Sequence, residues 1–417
     1  MLKLYDFQKQ ILNMTKDRNH VAYYLDMGLG KTFVGSEKMK QLGNKVNLVI
    51  CQKSKVNDWI QHFEDYYSEY EIINLTKEKQ DILLEPITKP TIYIINYELT
   101  FRRQYLRYLK DFTLLLDESS LIQNEHAKRT KFILNMNPTN IILLSGTPVG
   151  GKYENLWSQC RLLGWYINKS SFWQRYIQTR LIEVNGFNLP IVTGYMNVGD
   201  LKQNLREHGA VFLKSSEVLD LPEQVETKQL IEPIPAYKSF RKNSIIEIDN
   251  DTLVGDNILK KMLYERQLCG QYNTKKLDAL KEIMESTSNR LIIFYNFTKE
   301  KDLIVSLCEK LKKPYSIING EIKDLKAYQE NDDSVTIVQY QAGAMGLNLQ
   351  QANKIIYFTL PLSSELFEQS RKRIHRIGQD KTCFYYYLIT KGSIEEKILK
   401  TLQMRKDYTN ELYREGI

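Results

Sequence analysis

Apolar runs of four to seven residues recur along the chain and alternate with longer segments that have helical spacing. This alternation is typical of parallel β-sheets covered by helices, and here it occurs twice. The strands predicted in the first half are "VAYYL" (21–25), "VNLVIC" (46–51), "TIYIINY" (91–97), "FTLLLD" (112–117) and "NIILLSG" (140–146). Those predicted in the second half are "LIIFYNF" (291–297), "YSIIN" (315–319), "VTIVQY" (335–340), "KIIYFT" (354–359) and "CFYYYLI" (383–389). The sequence therefore predicts an α/β fold with two lobes, each a parallel sheet flanked by helices.

The same pattern divides the chain into three predicted segments. Residues 1–150 form a first lobe, and residues 236–417 form a second. Between them, residues 151–235 have helical spacing that is broken by "DLPEQ", which predicts a helical insertion followed by a linker. After the last strand, Ser393 stands three residues before Glu396, a capping-box pattern that predicts a C-terminal helix.

Composition narrows the class of protein without identifying it. The 417 residues are 42% hydrophobic and 26% charged, as in ordinary globular proteins. No run approaches the ~18 apolar residues of a membrane span, so no membrane association is expected. The five cysteines are scattered without a C-x-x-C pair, which favours a reducing cytoplasm over disulfides or zinc. The net charge of +8 is compatible with a polyanionic partner but is common in enzymes of other kinds.

The stretch "LDMGLGKT" follows the first predicted strand and precedes a helical segment. A glycine-rich turn in that context aims backbone N–H groups and the positive end of a helix dipole at phosphates. Lys31 would reach the terminal phosphates, and the Thr32 hydroxyl would bind Mg²⁺. The strict motif has one more glycine, where this chain has Leu25, and a turn carrying a surface lysine is the alternative. The residues predicted to bind nucleotide here are Gly28, Leu29, Gly30, Lys31 and Thr32.

Acidic and hydroxyl side chains follow two further predicted strands. Asp117 and Glu118 end "LLLDE", at the carboxyl edge that the glycine loop also occupies. Asp117 could hold Mg²⁺, and Glu118 could polarise a water for attack on the γ-phosphate. By itself an Asp-Glu pair is more often a solvated turn, but its pairing with the loop favours the catalytic role. In "LSGTP", Ser145 and Thr147 are predicted to sense the γ-phosphate and couple it to a bound polymer.

The stretch "QSRKRIHRIGQ" (369–379) contains three arginines, a lysine and a histidine, and no acid. Arg373 and Arg376 are three residues apart, so on a helix they would share one face. In P-loop enzymes an arginine from outside the phosphate cradle stabilises the transition state. We therefore predict that both are arginine fingers. A solvated basic helix or a DNA-contacting helix is the alternative.

Taken in order, these motifs resemble the motif series of superfamily 2 helicases, specifically the SNF2 group. The resemblance runs from Leu4 to about Ile398. It is carried by "LYDFQ", "DMGLGKT", "LVICQKSKVNDW", "INYEL", "LLLDESSLIQN", "LSGTP", "LWSQCRLLG", "QAGAMGLNLQ" and "QSRKRIHRIGQ". It implies two RecA-like lobes with ATP between them and nucleic acid lying across both. By the same resemblance, Gln8 matches the glutamine that reads adenine, and Gly346 lies in a motif that contacts nucleotide and DNA backbone. Arg373 and Arg376 match the finger arginines.

The chain departs from the family pattern at three positions. Ser120 stands where many relatives have a histidine that is tied to coupling between ATP and polymer. Only Lys214 is present where relatives often carry paired arginines before the linker. Lys372 replaces the acid that usually precedes the first finger arginine, which makes that segment more basic.

The group mostly moves along duplex DNA without separating its strands. The resemblance therefore implies an ATP-hydrolysing, Mg²⁺-dependent motor whose partner is double-stranded DNA. Candidate phosphate contacts follow the predicted strands, and they are Lys53, Ser54, Tyr97, Asn296, Thr298 and Gln341. The compact chain is similar to members encoded by bacteria and their phages, which implies a bacterial cytoplasm, including that of a phage-infected cell.

Two other functions remain open at this point. A strand-separating DNA helicase in replication or recombination would use the same motifs. A nucleotide-gated clamp that binds DNA without hydrolysing ATP would need fewer of them, and every residue required for hydrolysis is present.

Overall fold

The computed structural model of the chain describes residues 4–77, 88–184, 187–249, 251–343 and 347–413. The chain forms two compact units: unit 1 is 1–218 with 407–417, and unit 2 is 219–406. Each unit contains a parallel sheet flanked by helices, so the predicted fold class is confirmed.

The sheet of unit 1 has the strand order β3-β4-β2-β5-β6-β1-β9, and every neighbouring pair is parallel. Its central strands are apolar and buried at almost every position, because helices cover both faces. The strands of the unit, including an antiparallel hairpin of β7 and β8, are β1 (His20–Leu25), β2 (Val46–Cys51), β3 (Glu71–Asn74), β4 (Thr91–Asn96), β5 (Phe112–Asp117), β6 (Asn140–Ser145), β7 (Ile177–Val184), β8 (Phe187–Tyr195) and β9 (Ala210–Leu213).

The helices of unit 1 connect these strands and supply much of the core. Two of them matter for function. Helix α2 follows β1 directly after the glycine loop, and α6 contributes Cys160 to the core that also includes Leu156. The helices are α1 (Asp6–Met14), α2 (Lys31–Leu42), α3 (Val56–Tyr66), α4 (Tyr97–Thr100), α5 (Lys128–Leu134), α6 (Trp157–Leu162), α7 (Lys169–Tyr176), α8 (Val198–Glu207) and α9 (Ser215–Val218).

The sheet of unit 2 has the order β10-β17-β16-β13-β15-β14 and is also parallel throughout. A separate hairpin is formed by β11 and β12. The strands are β10 (Gln224–Ile231), β11 (Ile245–Ile248), β12 (Asp251–Val254), β13 (Leu291–Tyr295), β14 (Tyr315–Ile318), β15 (Val335–Gln339), β16 (Lys354–Tyr357) and β17 (Cys383–Thr390).

The helices of unit 2 are α10 (Pro235–Asn243), α11 (Ile258–Cys269), α12 (Thr274–Glu285), α13 (Thr298–Lys310), α14 (Lys326–Glu330), α15 (Tyr340–Gly343), α16 (Ser364–Arg371) and α17 (Ile394–Tyr413), of which the residues from 407 onward are assigned to unit 1. The predicted C-terminal helix is therefore present. At its start the Ser393 hydroxyl accepts from the backbone N–H of Glu395, at 3.1 Å.

The interval 151–235 is not a separate helical insertion. It contributes the β7–β8 hairpin, and β9 extends the sheet of unit 1 beside β1, with Ala210 opposite Ala22. It also contributes β10, which pairs with β17 along its whole length in unit 2. Its helices, α6 to α9, are short, with at most ten residues each. The units meet in sequence at 218/219 rather than at 150 or 235, because β9 and β10 belong to different sheets.

Two further features concern the expected membrane association and the state of the cysteines. In the part of the chain that the structure describes, no helix is both long and apolar enough to cross a membrane. All five cysteines are buried, and each carries a free thiol.

Candidate functional site

The glycine loop joins β1 to α2 in unit 1. Gly28 and Gly30 have φ angles of 87° and 70°, in the left-handed region that side chains disfavour. Gly30 is the N-cap of α2, and no side chain of the described residues caps the helix there. The first N–H groups of α2 therefore point into the loop, the arrangement that binds phosphate at helix N-termini.

Gln8 is buried against this loop. Its Nε2 donates to the Leu29 carbonyl at 2.9 Å, and its Oε1 accepts from the Tyr5 N–H at 3.0 Å. A Cβ atom on Gly30 would lie 2.4 Å from the Gln8 Nε2. The residue predicted to read adenine thus lies directly on the predicted phosphate loop, and a Cβ at position 30 would displace its amide group.

Lys31 lies between the glycine loop and the "LSGTP" segment. Its Nζ donates to the Leu25 carbonyl at 3.2 Å. A Cβ on Gly146 would lie 3.1 Å from the same Nζ, so the segment passes close to the lysine. Within it, the Thr147 N–H donates to the Ser145 hydroxyl at 3.1 Å. Two of the predicted motifs therefore meet at the carboxyl edge of one sheet.

Asp117 is the last residue of β5 and is oriented by its neighbours. The Trp59 indole N–H donates to its Oδ2 at 2.9 Å. Burial raises the pKa of the Asp117 carboxyl, while the Trp59 bond and the charges of Lys31 and Lys55 lower it. A cation beside this carboxyl would favour its ionised form, as a bound metal ion would. Trp59 is the last residue of the motif "LVICQKSKVNDW", but the sequence pattern does not predict its contact with Asp117.

Glu118 has a left-handed backbone, with a φ of 52°. Such a conformation is strained for a residue with a side chain, and it persists only where the surroundings hold it. The Tyr97 hydroxyl donates to the Asp117 carbonyl at 2.8 Å and lies 3.4 Å from the Glu118 carbonyl. Tyr97 was predicted to contact nucleic acid, but its side chain is fully buried and its hydroxyl is engaged here. It supports the acidic pair instead.

The arginine cluster of unit 2 does not lie on one helix, as the spacing predicted. Helix α16 ends at Arg371, and both Arg373 and Arg376 lie in the turns that follow. The reason is the Gln379 side chain, whose Nε2 donates to three backbone carbonyls and fixes a tight turn. Those carbonyls belong to Gln350 (3.0 Å), Ala352 (2.8 Å) and Ile374 (3.2 Å).

The three arginines have different surroundings. Arg371 is a structural residue: it forms an ion pair with Glu226 at 2.6 Å and lies over the Tyr385 ring at 4.3 Å. Arg373 is also buried, at 5% exposure. Arg376 is half-buried, and burial lowers the pKa of its guanidinium. Only Arg373 and Arg376 thus remain as candidates for the finger role.

The predicted polymer contacts separate into two groups. Lys53 and Ser54 follow β2, and Thr298 and Gln341 follow β13 and β15; all four are exposed. Asn296 differs, because its Nδ2 donates to the Thr359 hydroxyl (2.9 Å) and the Leu360 carbonyl (3.1 Å). Gly346 lies outside the described residues.

A glycine pair allows the phosphate loop to be tested. Gly30→Ala should lower the affinity for ATP at least tenfold, because the new Cβ would displace Gln8 and close the loop. Gly43→Ala is the matched control: Gly43 has the same φ of 70°, but nothing lies within 4 Å of its Cβ position. Both variants should lose about 1–2 kcal/mol of stability through the backbone. Titration with a fluorescent ATP analogue measures the affinity, and equal affinities for the two variants would contradict this role of Gly30.

Glu300, beside Asn296, is a fully buried acid. Its Oε2 accepts from the N–H groups of Asn296 (3.0 Å) and Phe297 (3.2 Å) and from the Thr359 hydroxyl (2.8 Å). Burial raises the pKa of Glu300 from 4.5 to about 6. Below pH 4.5 the carboxyl is protonated in both the folded and the unfolded chain. As the pH rises through 6, the folded chain must bury a charge, and stability is lost.

Glu300→Gln should remove that loss. Between pH 4.5 and pH 8 the variant should gain about 2 kcal/mol of unfolding free energy relative to the wild type. The glutamine oxygen can replace Oε2 as the acceptor, and any cost of burying the amide group is the same at every pH. Thermal unfolding across this pH range provides the measurement, and the exposed Glu282→Gln on α12 is the control. If the stability of Glu300→Gln changes with pH as that of the wild type does, ionisation of Glu300 is not the cause of the loss of stability.

Comparison with known protein families matches two consecutive regions of the chain. Residues 20–274, more than half of the chain, match the SNF2-related domain. Residues 275–378 match the helicase conserved C-terminal domain.

Similar proteins include bacterial and eukaryotic ATPases. The putative ATP-dependent helicase/translocase YwqA of Bacillus subtilis is 24% identical over 433 residues, which cover 93% of this chain and 46% of the relative. The ISWI chromatin-remodeling complex ATPase ISW1 of Saccharomyces cerevisiae is 23% identical over 462 residues, or 97% of this chain and 40% of the relative. The chain thus spans less than half the length of these two relatives. Among solved structures, the Sulfolobus solfataricus SWI2/SNF2 ATPase core in complex with dsDNA is 20% identical with a TM-score of 0.47, covering 98% of this chain and 92% of that one.

Proposed function

The chain belongs to the SNF2-related domain family, and from that premise we propose that it is an ATP-hydrolysing motor that translocates on double-stranded DNA. One observation carries the proposal. The glycine loop and the Asp117–Glu118 pair follow strands of the same parallel sheet, at its carboxyl edge, and Lys31 is close enough to favour the ionised form of Asp117. Ligands of such sheets bind at this edge.

ATP would bind with its phosphates on the backbone of Gly28, Leu29 and Gly30 and on the Lys31 ammonium. Gln8 would hold the adenine end from its place beside the loop. Thr32, the second residue of α2, and Asp117 would hold Mg²⁺. A hydroxyl and a carboxylate suit this ion, which takes its remaining oxygen ligands from phosphates and water. When bound, Mg²⁺ neutralises charge on the β- and γ-phosphates.

Hydrolysis would use three kinds of side chain. Glu118 orients and polarises the attacking water. Arg373 and Arg376 stabilise the charge that develops on the transferred phosphoryl group. Thr147 senses the γ-phosphate: its hydroxyl is buried and has no hydrogen-bond partner among the described residues, so it can bond to a ligand oxygen. Ser145 supports it through the bond to the Thr147 N–H.

Binding of the polymer would rest on phosphate contacts that do not read sequence. Lys53, Ser54, Thr298 and Gln341 are exposed and follow strands of the two sheets, which supports this role. Asn296 would contribute by fixing the β13–α13 turn rather than by direct contact. A reducing cytoplasm is supported by the five free cysteines, and a bacterial one by the similarity to bacterial relatives.

A triplex-displacement assay tests translocation. With ATP, the protein should displace a third strand from a DNA triplex, and it should leave the strands of a plain duplex paired. Lys31→Ala, which removes the phosphate-binding ammonium, should displace nothing. Separation of the duplex strands would instead favour a helicase. If the wild-type protein neither displaces the third strand nor separates the duplex, the proposal of a motor is contradicted.

A further inference from the structure

Gln159, on α6, joins three segments of the nucleotide site through one buried amide group. Its Oε1 accepts from the Tyr24 hydroxyl at 2.9 Å and from the Ser119 hydroxyl at 2.8 Å. Its Nε2 donates to the Pro148 carbonyl at 2.9 Å. Tyr24 is the penultimate residue of β1, the strand before the glycine loop; Ser119 follows Glu118, and Pro148 is the last residue of "LSGTP". Here we name these four residues the Gln159 cluster.

The cluster is buried, and three hydrogen bonds hold it together. Gln159, Tyr24 and Ser119 have no exposed surface. A reversed amide would direct the Gln159 oxygen at the Pro148 carbonyl, so that contact fixes the amide orientation. Burial raises the pKa of Tyr24 well above its ordinary range, so the phenol remains a hydrogen-bond donor. Loss of any bond would leave a buried polar group unsatisfied, which is costly.

The hydrogen bond from Ser119 lies next to a residue with a strained backbone. Glu118 has its left-handed conformation immediately before Ser119, and a 3₁₀ turn begins at Ser119 and continues to Ile122. A donor fixed at position 119 therefore limits how the Glu118 backbone can turn. On the other side, the Pro148 carbonyl is one residue beyond Thr147. A single amide therefore connects the "LSGTP" segment to the residue that follows the acidic pair.

We propose that Gln159 is a positioning residue for ATP hydrolysis, which fixes Glu118 through Ser119 and couples it to the Thr147–Pro148 segment. The inference rests on the proposed function, in which Glu118 polarises the attacking water. Gln159 does not touch ATP in this scheme. It sets the fraction of time for which Glu118 and Thr147 are both in place.

Neighbouring serines provide a matched test. Ser119→Ala removes one arm of the cluster, and Ser158→Ala removes an equally buried hydroxyl that has no hydrogen-bond partner in the described part of the chain. Steady-state ATP hydrolysis should show kcat about tenfold lower for Ser119→Ala, with KM for ATP within twofold of the wild type. Ser158→Ala should keep both constants within twofold. A purely structural role for Ser119 would lower the folded fraction without this selective fall in kcat.

Gln159→Leu removes both connections at once, whereas Ser119→Ala leaves the bond to Pro148 in place. Gln159→Leu should therefore lower the basal rate as Ser119→Ala does and should also lose part of the stimulation by DNA. Ser119→Ala combined with Gln159→Leu should be no slower than Gln159→Leu alone, because both remove the same bond.

Each outcome has one meaning. If the Gln159 variants do not fold, Ser119→Ala still decides the matter. A wild-type kcat in Ser119→Ala, at an unchanged folded fraction, would overturn the inference while leaving the proposed function intact. A wild type that does not hydrolyse ATP would instead contradict the proposed function itself.

Discussion

Glu118→Gln should lower the turnover number for ATP hydrolysis by about 10²–10⁴-fold, the range typical for loss of a residue that positions or deprotonates a nucleophile. Affinity for ATP should stay within threefold, because the phosphate loop and Lys31 are unchanged. The amide has the shape of the carboxylate but cannot take a proton from water. Phosphate release measures turnover, and titration with a fluorescent nucleotide measures affinity.

The control for this variant is Glu64→Gln, the same change at an exposed position of α3. It should leave turnover and affinity unchanged. A Glu118→Gln protein that keeps more than a third of wild-type turnover would show that another group polarises the water. The left-handed backbone at Glu118 would then need a different explanation.

Arg376→Ala should reduce turnover by about 10³–10⁵-fold, the range measured for arginine fingers. Binding of ATP should persist, because the proposed phosphate-binding residues lie in unit 1 and are unchanged. Arg376→Lys should recover little of the rate, since an ammonium cannot reproduce the planar, forked donors of a guanidinium. Single-turnover hydrolysis with saturating ATP separates the chemical step from binding.

Lys372→Ala is the control for charge, because it removes one cation from the same short segment of unit 2. Its turnover should stay within threefold of the wild type. If Arg376→Ala also stays within that range, Arg376 has no role in the chemical step. Arg373→Ala is then the remaining test of the finger assignment.

The central strands of both sheets could be predicted from the sequence because each is a continuous apolar run buried on two faces. The strands that were missed are at the edges or on the surface. In β10, polar and apolar residues mix over Gln224–Ile231, and most side chains are exposed or half-buried. The four-residue β9 is too short to be recognised as a strand from its apolar pattern. Edge strands form through pairing with a neighbour, which a local pattern does not contain.

The nucleotide-binding residues could be predicted because close approach of a backbone to phosphate demands glycine, lysine and a hydroxyl at fixed spacing. Residues that support them could not. Trp59, Tyr97 and Gln159 reach the acidic segment from other elements, through contacts that depend on tertiary folding. The predicted helix through Arg373 and Arg376 was wrong for the same reason. Gln379 fixes a turn there by binding carbonyls up to 29 residues away in sequence.

Steady-state ATP turnover measured side by side with duplex DNA, single-stranded DNA, RNA and no nucleic acid tests the proposed motor most directly. We expect duplex DNA to raise turnover severalfold above the other three conditions, and Glu118→Gln to abolish the rate in all four. Turnover that is the same in all four conditions would contradict a DNA-driven motor.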